Sequence, residues 1–204
     1  MKIGIIDVGV GNLGSLVSAM SKLNLNFKIC KNQNDLNSVD KLILPGVGAF
    51  SDFMSKIRKK KIDKLINDKI NANVKILGVC LGFQIFFSSS QEHGKSEGLD
   101  ILKGEIENIK KLGKNIRVPH VGWNSCKFIR QNILFDGIKN NSDFYFSHSF
   151  FLNKCSKIIT TGETTYHKKF ISSINYKNMY GVQFHPEKSQ LNGLKLLKNF
   201  AEKC

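Results

Sequence analysis

The sequence has little arginine, little acid and no paired cysteines. Three of its 31 basic residues are arginine (Arg58, Arg117 and Arg130), against 16 carboxylates. The formal charge of +15 invites a nucleic-acid reading. Bidentate recognition of phosphates and base edges is arginine chemistry, however, and here lysines are dispersed among asparagines. The one dense basic run, Lys56 to Lys64, falls on a predicted helix as a solvated face. The expectation is no nucleic-acid partner, and a basic surface that attracts an acidic partner or a phosphorylated substrate. The five cysteines (Cys30, Cys80, Cys126, Cys155, Cys204) are scattered, odd in number and free of any C-x-x-C pair. That spacing speaks against a disulfide framework and a structural zinc, and for a reducing, cytoplasmic setting. No apolar run approaches the roughly 18 residues of a membrane span. Met1-Lys2 leads straight into a strand-like run, which leaves no room for a secretory leader. With 204 residues and no repeat, low-complexity tract or linker, the expectation is one domain, 1–204.

What is present begins with apolar runs of strand length. Lys2 to Asp7 opens the chain, Asn26 to Cys30 and Asp40 to Leu44 follow, and helices are expected over Leu16–Leu23 and Phe53–Asn71. The glycines at 9, 11 and 14 fit G-x-G-x-x-G, but no carboxylate follows the second strand, where Lys31-Asn32-Gln33 stands. A tight strand-to-helix loop is therefore preferred over a dinucleotide site. Pro45-Gly46-Val47-Gly48-Ala49-Phe50 follows a strand end. It is either a plain turn or a backbone whose N–H groups face an anion. Alternating strands and helices predict a mostly parallel sheet with helices on both faces, and ligands at its carboxyl edge. After residue 100 the pattern changes to short strands between turns, Lys157 to Thr161 among them, which predicts an antiparallel extension. A final helix is expected over Gly193–Lys203.

The chemistry concentrates at Gly78-Val79-Cys80-Leu81-Gly82. An apolar strand ends at one cysteine between glycines, and an amphipathic run follows, so a strand, a sharp turn and a helix are expected. The pattern G-x-C-x-G is the cysteine counterpart of a nucleophile elbow. A cysteine at a helix N-terminus is favoured as thiolate. A lone cysteine in an apolar stretch is more often a buried structural residue, so the decision rests on a base and an orienting acid elsewhere. Gly181-Val182-Gln183-Phe184-His185-Pro186-Glu187-Lys188 supplies both. A strand ends at His185, Glu187 lies two residues on, and Pro186 fixes the backbone between them.

These motifs make the chain resemble the class I (triad-type) glutamine amidotransferases. With Leu44 to Phe50, Val118-Pro119-His120-Val121-Gly122-Trp123-Asn124 and Tyr145 to Phe151, it is similar to the glutaminase subunit of imidazole glycerol phosphate synthase. The resemblance covers nearly the whole chain. It implies an α/β, flavodoxin-like fold: a central mostly parallel sheet flanked by helices, with an antiparallel extension. Cys80 would be the nucleophile, His185 the base and Glu187 its orienting acid. The oxyanion would meet the Leu81 N–H and an N–H of Gly46, Val47 or Gly48. Gln84, Glu92 and the backbone near His148, Ser149 and Phe150 would bind glutamine. Asn12, Pro119, Trp123 and Lys188 match positions that face a barrel-shaped cyclase subunit in a heterodimer, to which ammonia passes. No metal or cofactor is implied. The family often has tyrosine where Val8 and Phe150 stand, and methionine where Phe83 stands. Relatives also occur as second copies that supply ammonia for cell-surface sugar synthesis, so the acceptor stays open.

Overall fold

A computed structural model of the chain describes residues 1–11 and 13–204. In chain order its strands and helices are β1 (Ile3–Ile6), α1 (Gly14–Lys22), β2 (Phe27–Cys30), α2 (Gln33–Asn37), β3 (Lys41–Gly46), α3 (Phe50–Lys59), α4 (Ile62–Asn71), β4 (Lys75–Cys80) and α5 (Leu81–Gln84). Then come β5 (Phe87–Ser90), β6 (Ser96–Glu97), β7 (Leu102–Asn108), β8 (His120–Phe128), β9 (Ser142–His148), β10 (Phe150–Leu152), β11 (Thr160–Tyr166), β12 (Lys168–Tyr176), β13 (Met179–Val182) and α6 (Gln190–Glu202).

Strands β2, β1, β3, β4 and β13 lie side by side and parallel. The sheet continues antiparallel through β12, β10 and β7, and β8, β9 and β11 branch from β12. Parallel strands buried on both faces read as unbroken apolar runs. Their alternation then sends successive side chains to opposite layers. Ile6, Leu42, Leu44 and Ile76 pack with Phe53, Met54 and Ile57 of α3 and Ile62 and Ile66 of α4. Ile3, Ile5, Ile43 and Leu77 pack on the other face with Leu16 and Met20 of α1 and Leu196 and Phe200 of α6. Each such fully buried side chain stabilises the fold by about 1.5–3 kcal/mol. Buried Lys41 ties β3 to α6, donating to the carbonyls of Phe200 at 3.0 Å and Ala201 at 2.8 Å. A cation suits a helix C-terminus, although burial pulls its pKa down.

The expected α/β architecture is present, with differences in detail. The helix expected over Phe53–Asn71 is two helices, broken where Lys61 adopts a left-handed φ of +56°. Three consecutive lysines at 59–61 end the first helix, and Asp63 enters the first turn of the second. The helix expected after Cys80 is a single buried turn, α5, because Phe87 already enters β5. Apolar residues at helical spacing here serve a fully buried turn rather than an amphipathic helix. The strand expected over Lys157–Thr161 lies later, at β11. Short α2, β5, β6 and β10 carried no distinct pattern.

Candidate active site

The loops that follow β3, β4 and β13 at the carboxyl edge of the parallel strands line a cavity of about 320 Å³. Its walls include Val47 and Gly48 after β3, Cys80, Leu81 and Gln84 after β4, and His185 and Lys188 after β13. Glu92, Pro119, Ser147, His148, Ser149 and Phe150 complete it. The volume is at the small end of ligand pockets, roughly 300–1,000 Å³.

Cys80 sits at the turn with φ +54° and ψ −110°, a conformation that costs a residue with a Cβ on the order of 1–3 kcal/mol. The surroundings hold it there. A Cβ on Gly82 would overlap the Leu44 carbonyl, so only glycine lets the elbow lie this close to β3. Gly46 pairs with Cys80 across β3 and β4, which puts the Gly46-Val47-Gly48 loop beside the thiol. Gly11 (φ +88°) packs against Val47, with no room for a Cβ between them. The loop after β1 thus braces the loop after β3.

His185 and Glu187 lie on the 3-10 turn that follows β13, and His185 Nδ1 stands 2.8 Å from Glu187 Oε1. Burial would lower the His185 pKa, but the adjacent Cys80 sulfur and the Glu187 carboxylate outweigh it and raise it to about 10. The buried ring is therefore an imidazolium wedged between sulfur and carboxylate. The structure brings Cys80, His185 and Glu187 together.

Other predicted residues divide. Gln84 lines the cavity, yet its Nε2 donates inward, to the Phe150 carbonyl at 2.8 Å and to Gln183 Oε1 at 2.9 Å. Glu92 also lines it, while its Oε2 accepts from the Phe50 N–H at 2.7 Å and caps α3. Pro119 and Lys188 reach the cavity wall, and Lys188 Nζ lies 5.7 Å from the Tyr145 ring centroid. Trp123 is 47% exposed on β8 and meets Tyr145 edge-on. Asn12 lies outside the described residues. Among the described residues, no group of three His, Cys, Asp or Glu side chains is placed to hold a metal ion.

Two buried residues escaped the sequence reading. His120 on β8 faces His148 on β9, Nδ1 to Nε2, at 2.9 Å. His148 Nδ1 is 2.9 Å from the Phe150 carbonyl. A carbonyl only accepts, so that Nδ1 carries the proton and Nε2 accepts from His120. His120 Nε2 in turn accepts from Asn124 Nδ2 at 3.3 Å. Burial pulls His120 to about 4, and burial with the neighbouring imidazoles pulls His148 to about 3, so both are neutral. The second overlooked residue is Gln183, wholly buried, whose Nε2 points at Cys80 Sγ from 3.7 Å. His120 opens β8 and Gln183 directly follows β13, and nothing in the sequence names their partners.

The family model for glutamine amidotransferase class-I matches residues 4–204. The chain belongs to the class-I glutamine amidotransferase family. It is 43% identical over 200 residues to the imidazole glycerol phosphate synthase subunit HisH of Moorella thermoacetica, covering 98% of this chain and 94% of that one. The subunit of the same name from Methanocaldococcus jannaschii is 44% identical, with 98% of each chain covered. A solved glutamine amidotransferase superposes with a TM-score of 0.76 at 14% identity, over 98% of this chain and 97% of that one, which speaks to the fold.

Proposed function

We propose that the chain, as one amidotransferase domain over residues 1–204, is the glutaminase subunit of imidazole glycerol phosphate synthase. What supports this reading is one cavity lined by Cys80 on a strained elbow and by His185, whose far ring nitrogen stands 2.8 Å from Glu187. Full-length relatives named as that subunit point the same way.

In this reading Cys80 Sγ attacks the side-chain amide carbon of glutamine. The oxyanion is met by the Leu81 N–H and by an N–H of the Gly46-Val47-Gly48 loop; losing one such donor raises the barrier by about 3 kcal/mol. His185, held by Glu187, gives its proton to the leaving nitrogen, and a thioester and ammonia result. Water, deprotonated by His185, then attacks the thioester, releasing glutamate and returning the Cys80 thiolate beside the His185 imidazolium. His148 is not the base, because both its ring nitrogens are occupied, one donating and one accepting. Gln84 offers its amide oxygen to the substrate, and Glu92 and the backbone at 148–150 bind its charged end. Exposed Trp123, with Pro119 and Lys188, faces a barrel-shaped cyclase subunit in a cytoplasmic heterodimer. That subunit takes up the ammonia before water protonates it, completing the synthase reaction of histidine biosynthesis.

The test is ammonia release from glutamine, with and without the cyclase subunit. Release should be slow for the isolated chain, rise with the partner, and vanish for Cys80→Ala. Undiminished release by Cys80→Ala refutes the assignment.

A further inference from the structure

We propose that Gln183 is a positioning residue for the nucleophile, aiming an amide N–H at the Cys80 sulfur from behind the elbow. The amide orientation is forced. The Phe150 carbonyl accepts from Gln84 Nε2 at 2.8 Å and cannot donate, so the Gln84 nitrogen faces it. The same nitrogen stands 2.9 Å from one end of the Gln183 side chain, which must then be the oxygen. The other end, 3.7 Å from Cys80 Sγ, is therefore the donor. The Phe150 carbonyl is itself pinned by His148, His148 by His120, and His120 by Asn124. One chain of hydrogen bonds, each with a determined direction, thus runs from β8 to the sulfur. Gln183 is wholly buried and lies outside the cavity wall, so it touches the reacting atom and not the substrate.

The inference rests on Cys80 acting as nucleophile, but its test does not require glutamine turnover. Iodoacetamide alkylates a thiolate directly, with iodide leaving. At neutral pH, alkylation of Cys80 should slow about tenfold in Gln183→Met, the loss expected for one hydrogen bond to a charged acceptor. Gln183→Glu keeps the acceptor that Gln84 needs and sets a carboxylate against the sulfur. It should slow alkylation at least as much, and it carries the test if the methionine variant does not fold. A merely structural role predicts the opposite sign, because loosened packing exposes a buried thiol and speeds its alkylation. In glutaminase assays the variants should lower kcat and leave KM unchanged. Slower alkylation in the folded variants supports the inference, even if the unmodified chain proves not to hydrolyse glutamine. Unchanged or faster alkylation overturns it, even if ammonia release falls.

Discussion

Replacing Cys80 with alanine should lower the titration of His185 more than replacing Glu187 with glutamine. Burial alone would depress the imidazolium; the Cys80 sulfur and then Glu187 reverse that and carry it from 6.5 to about 10. A rise of that size corresponds to on the order of 5 kcal/mol in favour of the protonated ring. Cys80→Ala removes the larger opposing influence and leaves the 2.8 Å contact with Glu187 against the full cost of burial. His185 should then fall by roughly two pH units or more, within the range for loss of a close opposite charge. Glu187→Gln keeps a hydrogen-bonding oxygen, and the fall should be about one unit. Nearby His148 stays neutral, because burial and the neighbouring imidazoles hold it at about 3. Histidine-selective NMR titration reads each value directly, with His185→Gln assigning the signal. An equal or larger fall in Glu187→Gln refutes the reasoning, because the proton would then belong to the His185–Glu187 pair and not to the one with sulfur. The same shift links pH to stability. The folded value lies above the unfolded one, so the contribution of the His185 charge is complete below pH 6.5 and is lost as pH rises through about 10. The stability difference between the native chain and Cys80→Ala should narrow over that interval in urea titrations.

Further expectations concern backbone and surface. Gly11→Ala places a methyl group against Val47 and strains a left-handed backbone by about 1–2 kcal/mol. Val47 is 42% exposed and yields, so kcat for glutamine should fall by up to roughly 10²-fold through the displaced oxyanion donor. A variant that unfolds with no specific loss of kcat would contradict this. Gly82→Ala meets the Leu44 backbone, which cannot yield, and should destabilise by about 3 kcal/mol in equilibrium unfolding. Trp123→Ala removes a half-exposed aromatic and should weaken cyclase binding by about 2 kcal/mol, roughly 30-fold in Kd by titration calorimetry, without changing the fold.

Signals written within a few residues of one another were legible in the sequence. The glycines around Cys80 set a bend, the two-residue step from His185 to Glu187 across Pro186 set a contact, and the unbroken apolar runs set the parallel strands. Each is local backbone or burial chemistry, which neighbouring residues decide by themselves. The helix pattern misled where charge repetition at Lys59 to Lys61 cut one helix into two and where a buried turn followed Cys80. What the sequence could not specify were contacts fixed by strand register: His120 against His148, 28 residues apart, and Gln183 against Cys80, 103 apart. A buried amide or imidazole must find a partner. Which partner it finds depends on which strands lie adjacent and in what register. Only the assembled sheet decides that, and here it sets the Gln183 amide behind the elbow cysteine and the His185 ring in the cavity before it.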